Sequence, residues 1–255
     1  LIHMVELYNK VHLNFGQKIL RTSVVLKKSL TTEPTCVHLQ LRANGQQNLK
    51  QIKTNNKFVY LISPNKIKSK NFYNNLDLVL NSGKVSFFQL RLKKETNSNK
   101  LIIGKKIKKI CKKHKVKFLI NDDPLLAKKL NADGCHLGQK DMDLVKARKI
   151  LKNKIIGITC HNSINLAKKA DSSGADYLAF GAFYSSKTKI VKYKANLKLL
   201  KFAKKITALP IVAIGGIKLS NYKKLLLNKA NFLAISGYIW HNKKYKPLEA
   251  ITKLK

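Results

Sequence analysis

Acidic residues are scarce in this 255-residue chain. It has 12 Asp and Glu against 52 Lys and Arg, which gives a formal net charge of +40. Arginine is also rare, since it supplies four of the 52 basic residues. A charge of this size attracts anions, but base recognition and bidentate phosphate contacts favour arginine over lysine. We therefore interpret the lysine excess as solvated helix faces, and we expect no specific nucleic-acid partner.

The sequence also lacks paired cysteines and long apolar segments. Four cysteines without C-x-x-C spacing argue against a zinc or redox site and favour reduced thiols in a cytoplasmic protein. No apolar run reaches the roughly 20 residues of a membrane span, so we expect no membrane association. Glu6 and Asn9 stand where a signal peptide would be apolar, which argues against secretion. Hydrophobic residues still make up 44% of the chain, enough to bury a core.

From about residue 57 onward, short apolar runs alternate with amphipathic segments. Strands are predicted at 58–63, 85–92, 116–120, 134–137, 155–159, 177–180, 210–214 and 232–236. Helices are predicted at 101–114, 124–131, 164–173, 196–206 and 221–229, where apolar residues recur every three or four positions. This alternation predicts parallel strands joined by helices. Eight strands favour an α/β fold of the (β/α)8 TIM-barrel type; a doubly wound open sheet is the alternative, because periodicity does not show closure.

The first 55 residues do not follow this alternation. We interpret residues 1–55 as an N-terminal extension of unknown role, either disordered or packed outside the barrel. Residues 56–255 are then predicted to form the barrel domain. The extension has no recognisable function.

Five of the twelve acidic residues lie between positions 122 and 143. In a chain this basic, clustered carboxylates indicate a cation site, but helix caps and surface pairs explain them equally well. Asp123 precedes Pro124, and Asp143 precedes an apolar segment, so either could begin a helix. Asp122 and Asp141 follow the third and fourth predicted strands, and together they could hold Mg²⁺.

Basic side chains end the second predicted strand. Alternation places Gln89, Arg91 and Lys93 on one face, where the two cations are costly unless they meet an anion. A phosphate or diphosphate would satisfy both, and an exposed basic edge is the alternative. His136 lies in the fourth predicted strand. We interpret it as a packed or supporting histidine rather than a metal ligand, because Mg²⁺ prefers oxygen ligands.

Small and hydroxyl-bearing residues follow the later strands. Ser186, Thr188 and Lys189 suit a loop that closes over an anion. Gly216, beside Gly215, and Ser236, before Gly237, suit a phosphate cradle, which barrels often build after strands seven and eight. The residues alone therefore predict a barrel mouth with one monophosphate site and one Mg²⁺–diphosphate site.

Five motifs in this order resemble the family of thiamine-phosphate synthases and thiazole tautomerases. The resemblance covers about residues 57–245. Its strongest parts are 89–93 (QLRLK), 120–123 (INDD), 132–142 (ADGCHLGQKDM), 174–181 (GADYLAFG) and 212–217 (VAIGGI). The resemblance implies a transferase that joins 4-amino-2-methyl-5-hydroxymethylpyrimidine diphosphate to a thiazole (carboxylate) monophosphate. The products are thiamine monophosphate and diphosphate, formed by Mg²⁺-assisted dissociative substitution.

The resemblance also implies roles for individual residues. The pyrimidine diphosphate would be bound by Gln89, Arg91, Lys93, Asn121, Thr159 and Lys189. Arg91, Lys93 and Lys189 would be the catalytic cations among them. The thiazole phosphate would be bound by Ser186, Thr188, Gly216, Ile235 and Ser236. Asp122 and Asp141 would ligate Mg²⁺.

Some positions depart from the family pattern. Lys140 stands where Glu is common before the metal-binding Asp, and 185–187 (SSK) replaces a run of the Pro-Thr-Thr type. One alternative function is a thiazole tautomerase-like protein that uses His161 as acid and base without a metal. Another is a basic nucleic-acid-binding protein on a barrel scaffold. The expected partners are small phosphorylated substrates, and a homo-oligomer is compatible with this assignment.

Overall fold

The computed structural model describes residues 57–67, 70–185 and 192–255. The predicted extension at 1–55 lies outside the described residues, so its separation from the barrel domain stays a prediction. Within the described residues, no helix is both long enough and apolar enough to cross a membrane.

Eight parallel strands form a closed barrel in sequence order. They are β1 (Val59–Ile62), β2 (Val85–Leu90), β3 (Lys117–Asn121), β4 (Gly134–Leu137), β5 (Ile155–His161), β6 (Tyr177–Gly181), β7 (Ile211–Ile214) and β8 (Phe232–Ile235). Each strand pairs with the next, and β1 pairs with β8. The TIM-barrel prediction is therefore confirmed, and closure excludes the open sheet.

Helices follow the strands and cover the outside of the barrel. In the described residues they are α1 (Lys70–Asn81), α2 (Asn97–Lys113), α3 (Pro124–Lys129), α4 (Leu144–Leu151), α5 (Ile164–Ser172), α6 (Leu197–Ile206), α7 (Tyr222–Leu227), α8 (Gly237–Trp240) and α9 (Pro247–Thr252). Strand and helix thus alternate as the sequence predicted, although α1, α4, α8 and α9 were not predicted.

Polar caps explain where several helices begin. The side chain of Thr96 accepts a hydrogen bond from the backbone N–H of Asn99 (3.2 Å), and Asp123 accepts one from Leu126 (2.9 Å). Asp143 accepts from the N–H of Val145, 2.9 Å away, at the start of α4. Such bonds satisfy donors that a first helical turn leaves unpaired. Asp123 and Asp143 are therefore helix caps, one of the two interpretations that the sequence left open.

The apolar residues form two separate cores, because successive strand residues point to opposite faces of the sheet. One core lies between the strands and helices and includes Val59 and Leu61. The other fills the barrel interior with alternate residues such as Tyr60, Phe87 and Tyr177. The barrel is consequently packed, and its chemistry is confined to the ends of the strands.

Candidate active site

Two carboxylates meet at the carboxyl ends of β3 and β4. Asp122 follows β3 directly and is held by a hydrogen bond of 2.8 Å from its backbone N–H to the carbonyl of His136. Asp141 lies in the loop after β4, where its Oδ2 accepts from the N–H of Gly138 at 2.6 Å. The two carboxyl groups lie within hydrogen-bonding reach of each other. The predicted convergence of these acids at one rim is therefore observed.

The two carboxyl groups titrate differently. Burial acts to raise the pKa of Asp122, but hydrogen bonds from Lys93 and Asp141 outweigh it and hold that pKa below its usual value. Burial and the adjacent Asp122 raise the pKa of Asp141. Of the two groups, Asp141 is therefore the weaker acid. A pair of carboxyl groups so close together needs a proton or a cation between them.

Two carboxylates in this arrangement could hold Mg²⁺, and the metal itself stays a prediction. Mg²⁺ is commonly bound through one or two carboxylates, with substrate phosphate oxygens and waters completing the shell. Within the part of the chain that the structure describes, no group of three or more His, Cys, Asp and Glu side chains could hold a metal ion. The acidic pair therefore suits a cation that arrives with an anionic ligand better than a permanently bound structural metal.

Basic side chains stand beside the acidic pair. The Nζ of Lys93 lies 3.0 Å from Oδ2 of Asp122, with more than half of the lysine side chain exposed. Arg91 donates from a guanidinium nitrogen to Oδ1 of Asn65 at 3.1 Å. Both cations are partly open to solvent, so an anion could reach them without displacing core residues.

The structure corrects one part of the prediction for β2. The strand was expected to continue to residue 92, with Gln89, Arg91 and Lys93 on one strand face, but β2 ends at Leu90. The hydroxyl of Ser63 accepts from the backbone N–H of Arg91 at 2.9 Å, outside the strand. Arg91 and Lys93 are therefore presented by a loop, whereas Gln89 is buried within the strand.

Gln89 belongs to a line of hydrogen bonds that crosses the barrel interior. Its Nε2 donates to Oη of Tyr60 (3.0 Å), and the hydroxyls of Tyr60 and Tyr177 are 2.8 Å apart. Oη of Tyr177 lies 2.8 Å from Nδ1 of His136, whose Nε2 lies 2.8 Å from Oγ1 of Thr159. We call these five side chains the interior polar chain. Burial lowers the pKa of His136 to about 4, so this histidine is neutral and packed, as predicted.

Other predicted residues occupy the neighbouring strand ends. Asn121 is the last residue of β3, and its strand position pairs with His136. Ile235 ends β8 and Ser236 follows it, donating its hydroxyl hydrogen to the carbonyl of Ser63 at 3.2 Å. Gly216 follows β7 with a φ of +61°, and a Cβ there would lie 2.3 Å from the carbonyl oxygen of Ser185. Only glycine fits this close approach between the loops.

Three of the predicted residues lie outside the described residues. They are Ser186, Thr188 and Lys189. Their predicted roles at the thiazole phosphate and the diphosphate therefore stay predictions. His161, the acid and base of the alternative tautomerase, ends β5 and stacks on Tyr193 with ring centroids 4.3 Å apart.

Sequence analysis missed Tyr60 and Tyr177. Both are almost fully buried. Tyr60 in β1 and Tyr177 in β6 are the first residues of their strands whose side chains point into the barrel interior. A tyrosine inside an apolar run usually indicates packing, so neither stood out. One further signal was present at Gly157, because a Cβ at this position would lie 1.8 Å from Cζ of Tyr177. A glycine inside a strand can mark such a close approach.

Comparisons with known proteins identify one family. The family described as thiamine monophosphate synthase matches residues 59–239. The chain is 84% identical to thiamine-phosphate synthase of Pelagibacter ubique (strain HTCC1062) over 207 residues, 81% of this chain and 100% of that protein. It is 38% identical to thiamine-phosphate synthase of Erythrobacter litoralis (strain HTCC2594) over 200 residues, 76% of this chain and 93% of that protein.

A solved structure supports the same conclusion. Thiamine phosphate pyrophosphorylase from Pyrococcus furiosus superimposes with a TM-score of 0.69 at 26% identity, covering 78% of this chain and 94% of that one. The matched family segment contains every strand of the barrel together with the acidic pair and Arg91. The chain, a transferase by this relationship, belongs to the thiamine monophosphate synthase family.

Proposed function

We propose that this chain condenses 4-amino-2-methyl-5-hydroxymethylpyrimidine diphosphate with a thiazole monophosphate to give thiamine monophosphate and diphosphate. The observation that carries the proposal is the meeting of Asp122 and Asp141 beside Lys93 at the barrel mouth. This arrangement offers one place for a cation and an adjacent place for the anion that the cation neutralises. The 84% identity to a thiamine-phosphate synthase supports the same activity.

The diphosphate would lie across the mouth between β2 and β4. Arg91 and Lys93 would bind its oxygens, with the guanidinium able to make a bidentate contact. In the structure Lys93 is paired with Asp122, so its ammonium is already within reach of the proposed cation site. Lys189 is proposed to bind the diphosphate from the loop after β6.

Asp122 and Asp141 would hold Mg²⁺ together with diphosphate oxygens. When bound, the ion supplies positive charge that stabilises the departing diphosphate. As carboxylates, both side chains would offer oxygen ligands to the ion. Lys140, which stands before Asp141, adds a positive charge near the site and weakens its hold on the metal by repulsion.

The chain's own groups would mainly position and stabilise charge. Asn121 and Thr159 would orient the pyrimidine ring, while Arg91 and Lys93 neutralise the diphosphate as its bond to the pyrimidine methylene breaks. The aminopyrimidine stabilises the resulting cation, and the thiazole nitrogen forms the new carbon–nitrogen bond. The reaction requires neither a covalent enzyme intermediate nor a strong base.

The thiazole phosphate would lie on the other side of the mouth. Gly216, Ile235 and Ser236 would line its cradle at the ends of β7 and β8, whose residues Ile214 and Ala234 are paired neighbours. Ser186 and Thr188 would complete the cradle from the loop after β6. Backbone N–H groups approach a phosphate closely where the residue is glycine.

The decisive experiment is to measure thiamine monophosphate formation by Asp122→Asn in the presence and absence of Mg²⁺. The substitution keeps the shape of the side chain but removes the negative charge that would bind the metal. We expect kcat to fall on the order of 100-fold or more, as when a group that stabilises transition-state charge is lost. Asp143→Asn is the matched control, because asparagine also caps a helix and this variant should keep wild-type activity. Full Mg²⁺-dependent activity in Asp122→Asn would refute the metal role.

A further inference from the structure

The interior polar chain is unusual because it connects strands that are not neighbours. Tyr60 on β1 reaches Tyr177 on β6 across the barrel, and Tyr177 reaches His136 on β4. Its two ends are Gln89 and Thr159. The proposed function places Thr159 at the pyrimidine ring, and the family resemblance places Gln89 at the pyrimidine diphosphate. The three residues between these ends have no role in the function proposed above.

Each hydrogen bond of the interior polar chain has a defined donor and acceptor, and all of them point the same way along it. Nε2 of Gln89 donates to Tyr60, so the single hydroxyl hydrogen of Tyr60 is available for Tyr177. The hydrogen of Tyr177 then goes to Nδ1 of His136, which must be the unprotonated ring nitrogen. Nε2 of His136 therefore carries the hydrogen and donates it to Oγ1 of Thr159.

This direction determines which hydrogen-bonding groups Thr159 and Gln89, the two ends of the interior polar chain, can offer to a ligand. Oγ1 of Thr159 accepts from His136, so the hydroxyl hydrogen of Thr159 is left to donate to another group. One hydrogen of Nε2 of Gln89 goes to Tyr60, which fixes the orientation of the amide and leaves Oε1 as its acceptor. An aminopyrimidine offers the complementary set, because its ring nitrogens accept hydrogen bonds and its amino group donates them.

Close packing of the aromatic rings holds the interior polar chain in place. The rings of Tyr60 and Tyr177 meet edge to face with centroids 5.8 Å apart, and the ring of His136 stacks on Tyr177 at 5.7 Å. The missing side chain of Gly157 provides the space for Tyr177. Tyr60 and Tyr177 are 2% and 1% exposed, so water cannot substitute for a lost partner. Reversing the hydrogens would require all members to change together.

We propose that Tyr60, Tyr177 and His136 are positioning residues that make Thr159 a hydrogen-bond donor and Gln89 an acceptor toward the aminopyrimidine ring. This proposal rests on the proposed function for the identity of the ligand. The donor and acceptor order along the interior polar chain is a property of the free protein and does not depend on any ligand. The proposal therefore predicts both a property of the free protein and a property of substrate recognition.

The first test is the tautomer of His136, measured at neutral pH by ¹⁵N NMR of the protein without ligand. His136→Gln identifies the signal among the seven histidines of the chain. We expect a neutral ring with hydrogen on Nε2 and none on Nδ1. A ring protonated on Nδ1, alone or together with Nε2, would overturn the proposal. This result stands whether or not the chain forms thiamine monophosphate.

The second test is a double-mutant cycle that joins Tyr177→Phe to Thr159→Val. Tyr177→Phe keeps the ring but removes the hydroxyl in the middle of the chain. Binding of the pyrimidine diphosphate is measured by calorimetry, and KM is measured for both substrates. We expect about tenfold weaker pyrimidine binding with an unchanged KM for the thiazole phosphate. In the Thr159→Val background, Tyr177→Phe should change pyrimidine binding less than twofold, because the two residues act as one unit.

Tyr222→Phe is the matched control. Its hydroxyl also makes partly buried hydrogen bonds, to the backbone of Lys255 at 2.6 and 2.9 Å, but it lies outside the barrel interior. This variant should lose stability and keep its affinity for the pyrimidine diphosphate. Equal losses of affinity in the Tyr177 and Tyr222 variants, or additive effects in the cycle, would show a merely structural role. Tyr60→Phe replaces Tyr177→Phe in the same cycle if the latter does not fold.

The two proposals can fail separately. Wild-type protein that binds the pyrimidine diphosphate with the expected cycle but forms no thiamine monophosphate would contradict the proposed function alone. Wild-type activity with independent effects of Tyr177 and Thr159 would contradict the positioning role alone.

Discussion

At the scale of single residues, the scarce charges of the chain are divided between chemistry and structure. Arg148, one of four arginines, lies outside the candidate site. Its guanidinium donates to Oδ2 of Asp176 at 2.7 Å and to the backbone carbonyls of Lys152, Lys154 and Gly174. Asp176 also accepts from the N–H of Ile156 at 2.7 Å. This network ties together the segments that enter β5 and β6, at the barrel end opposite the candidate site.

We predict that Arg148→Ala strongly destabilises the protein. Asp176 is 7% exposed on its side chain, so loss of Arg148 removes an ion pair and a charged hydrogen bond from a buried carboxylate. Breaking a buried ion pair in this way costs about 3 kcal/mol. The free energy of unfolding in urea measures the loss, and Lys149→Ala on the exposed face is the control. A difference below 1 kcal/mol between these variants would mean that the network is dispensable.

Individual site residues also differ in how well the sequence predicted them. Asp122, Asp141 and Lys93 could be predicted because they follow strands, and a barrel brings such positions to one rim. Tyr60 and Tyr177 could not be, since their partners come from strands on opposite sides of the barrel. Local pattern carries no information about which residues meet across an interior.

At the scale of elements, the ring of Tyr177 packs directly against the backbone of β5 at Gly157. A Cβ on Gly157 would lie 1.8 Å from Cζ of Tyr177. Gly157 pairs with Tyr177 in the ladder between β5 and β6. Its neighbours on both sides in β5 are buried as well, so the backbone cannot shift outward without disturbing the outer core. The position is therefore intolerant of any side chain.

We predict that Gly157→Ala destabilises the protein by about 3 kcal/mol, the upper range for overpacking a core. The added Cβ would occupy the space of the Tyr177 ring, which is fixed by its own hydrogen bonds. Gly174→Ala is the control, because its φ of +91° makes it strained but the space around it is open. The control should cost about 1 kcal/mol. Chemical unfolding compares the two, and equal losses would exclude a steric clash.

Helices were less predictable than strands for a physical reason. The segment of α1 contains four asparagines, which favour turns and caps over helix interiors, and this obscures its apolar face. The helix forms because Phe72, Leu76, Val79 and Leu80 are buried against the barrel. The segments of α3 and α5 were predicted because their apolar residues recur every three or four positions, and in the structure Asp123 and Ser163 cap these two helices.

At the scale of the whole molecule, the net charge of +40 dominates behaviour in solution. Like charges repel in the compact state, and salt screens them over about 10 Å at 0.1 M. We predict that the melting temperature rises between 20 and 500 mM NaCl, by about 2–4 °C for each kcal/mol of repulsion relieved. Chloride is used because sulfate and phosphate stabilise by other routes. A flat or falling melting temperature would contradict this account.

The predicted extension is tested by removing it. We predict that residues 56–255 alone form thiamine monophosphate with the kcat and KM of the full chain, because the barrel and the acidic pair lie within this range. The alignment with the Pelagibacter protein covers that protein completely with 207 residues. Steady-state kinetics of the two forms is the measurement. A folded truncated protein with less than a tenth of the activity would give the extension a role in catalysis.

Closure of the barrel has a consequence for how the protein is made. The pairing of β1 with β8 joins segments about 170 residues apart. In a nascent chain leaving the ribosome, β1 therefore lacks this partner strand until β8 has emerged. Such long-range pairing slows folding and leaves strand edges open to wrong partners. In the growing polypeptide, repulsion among its many lysines keeps neighbouring copies apart during that interval.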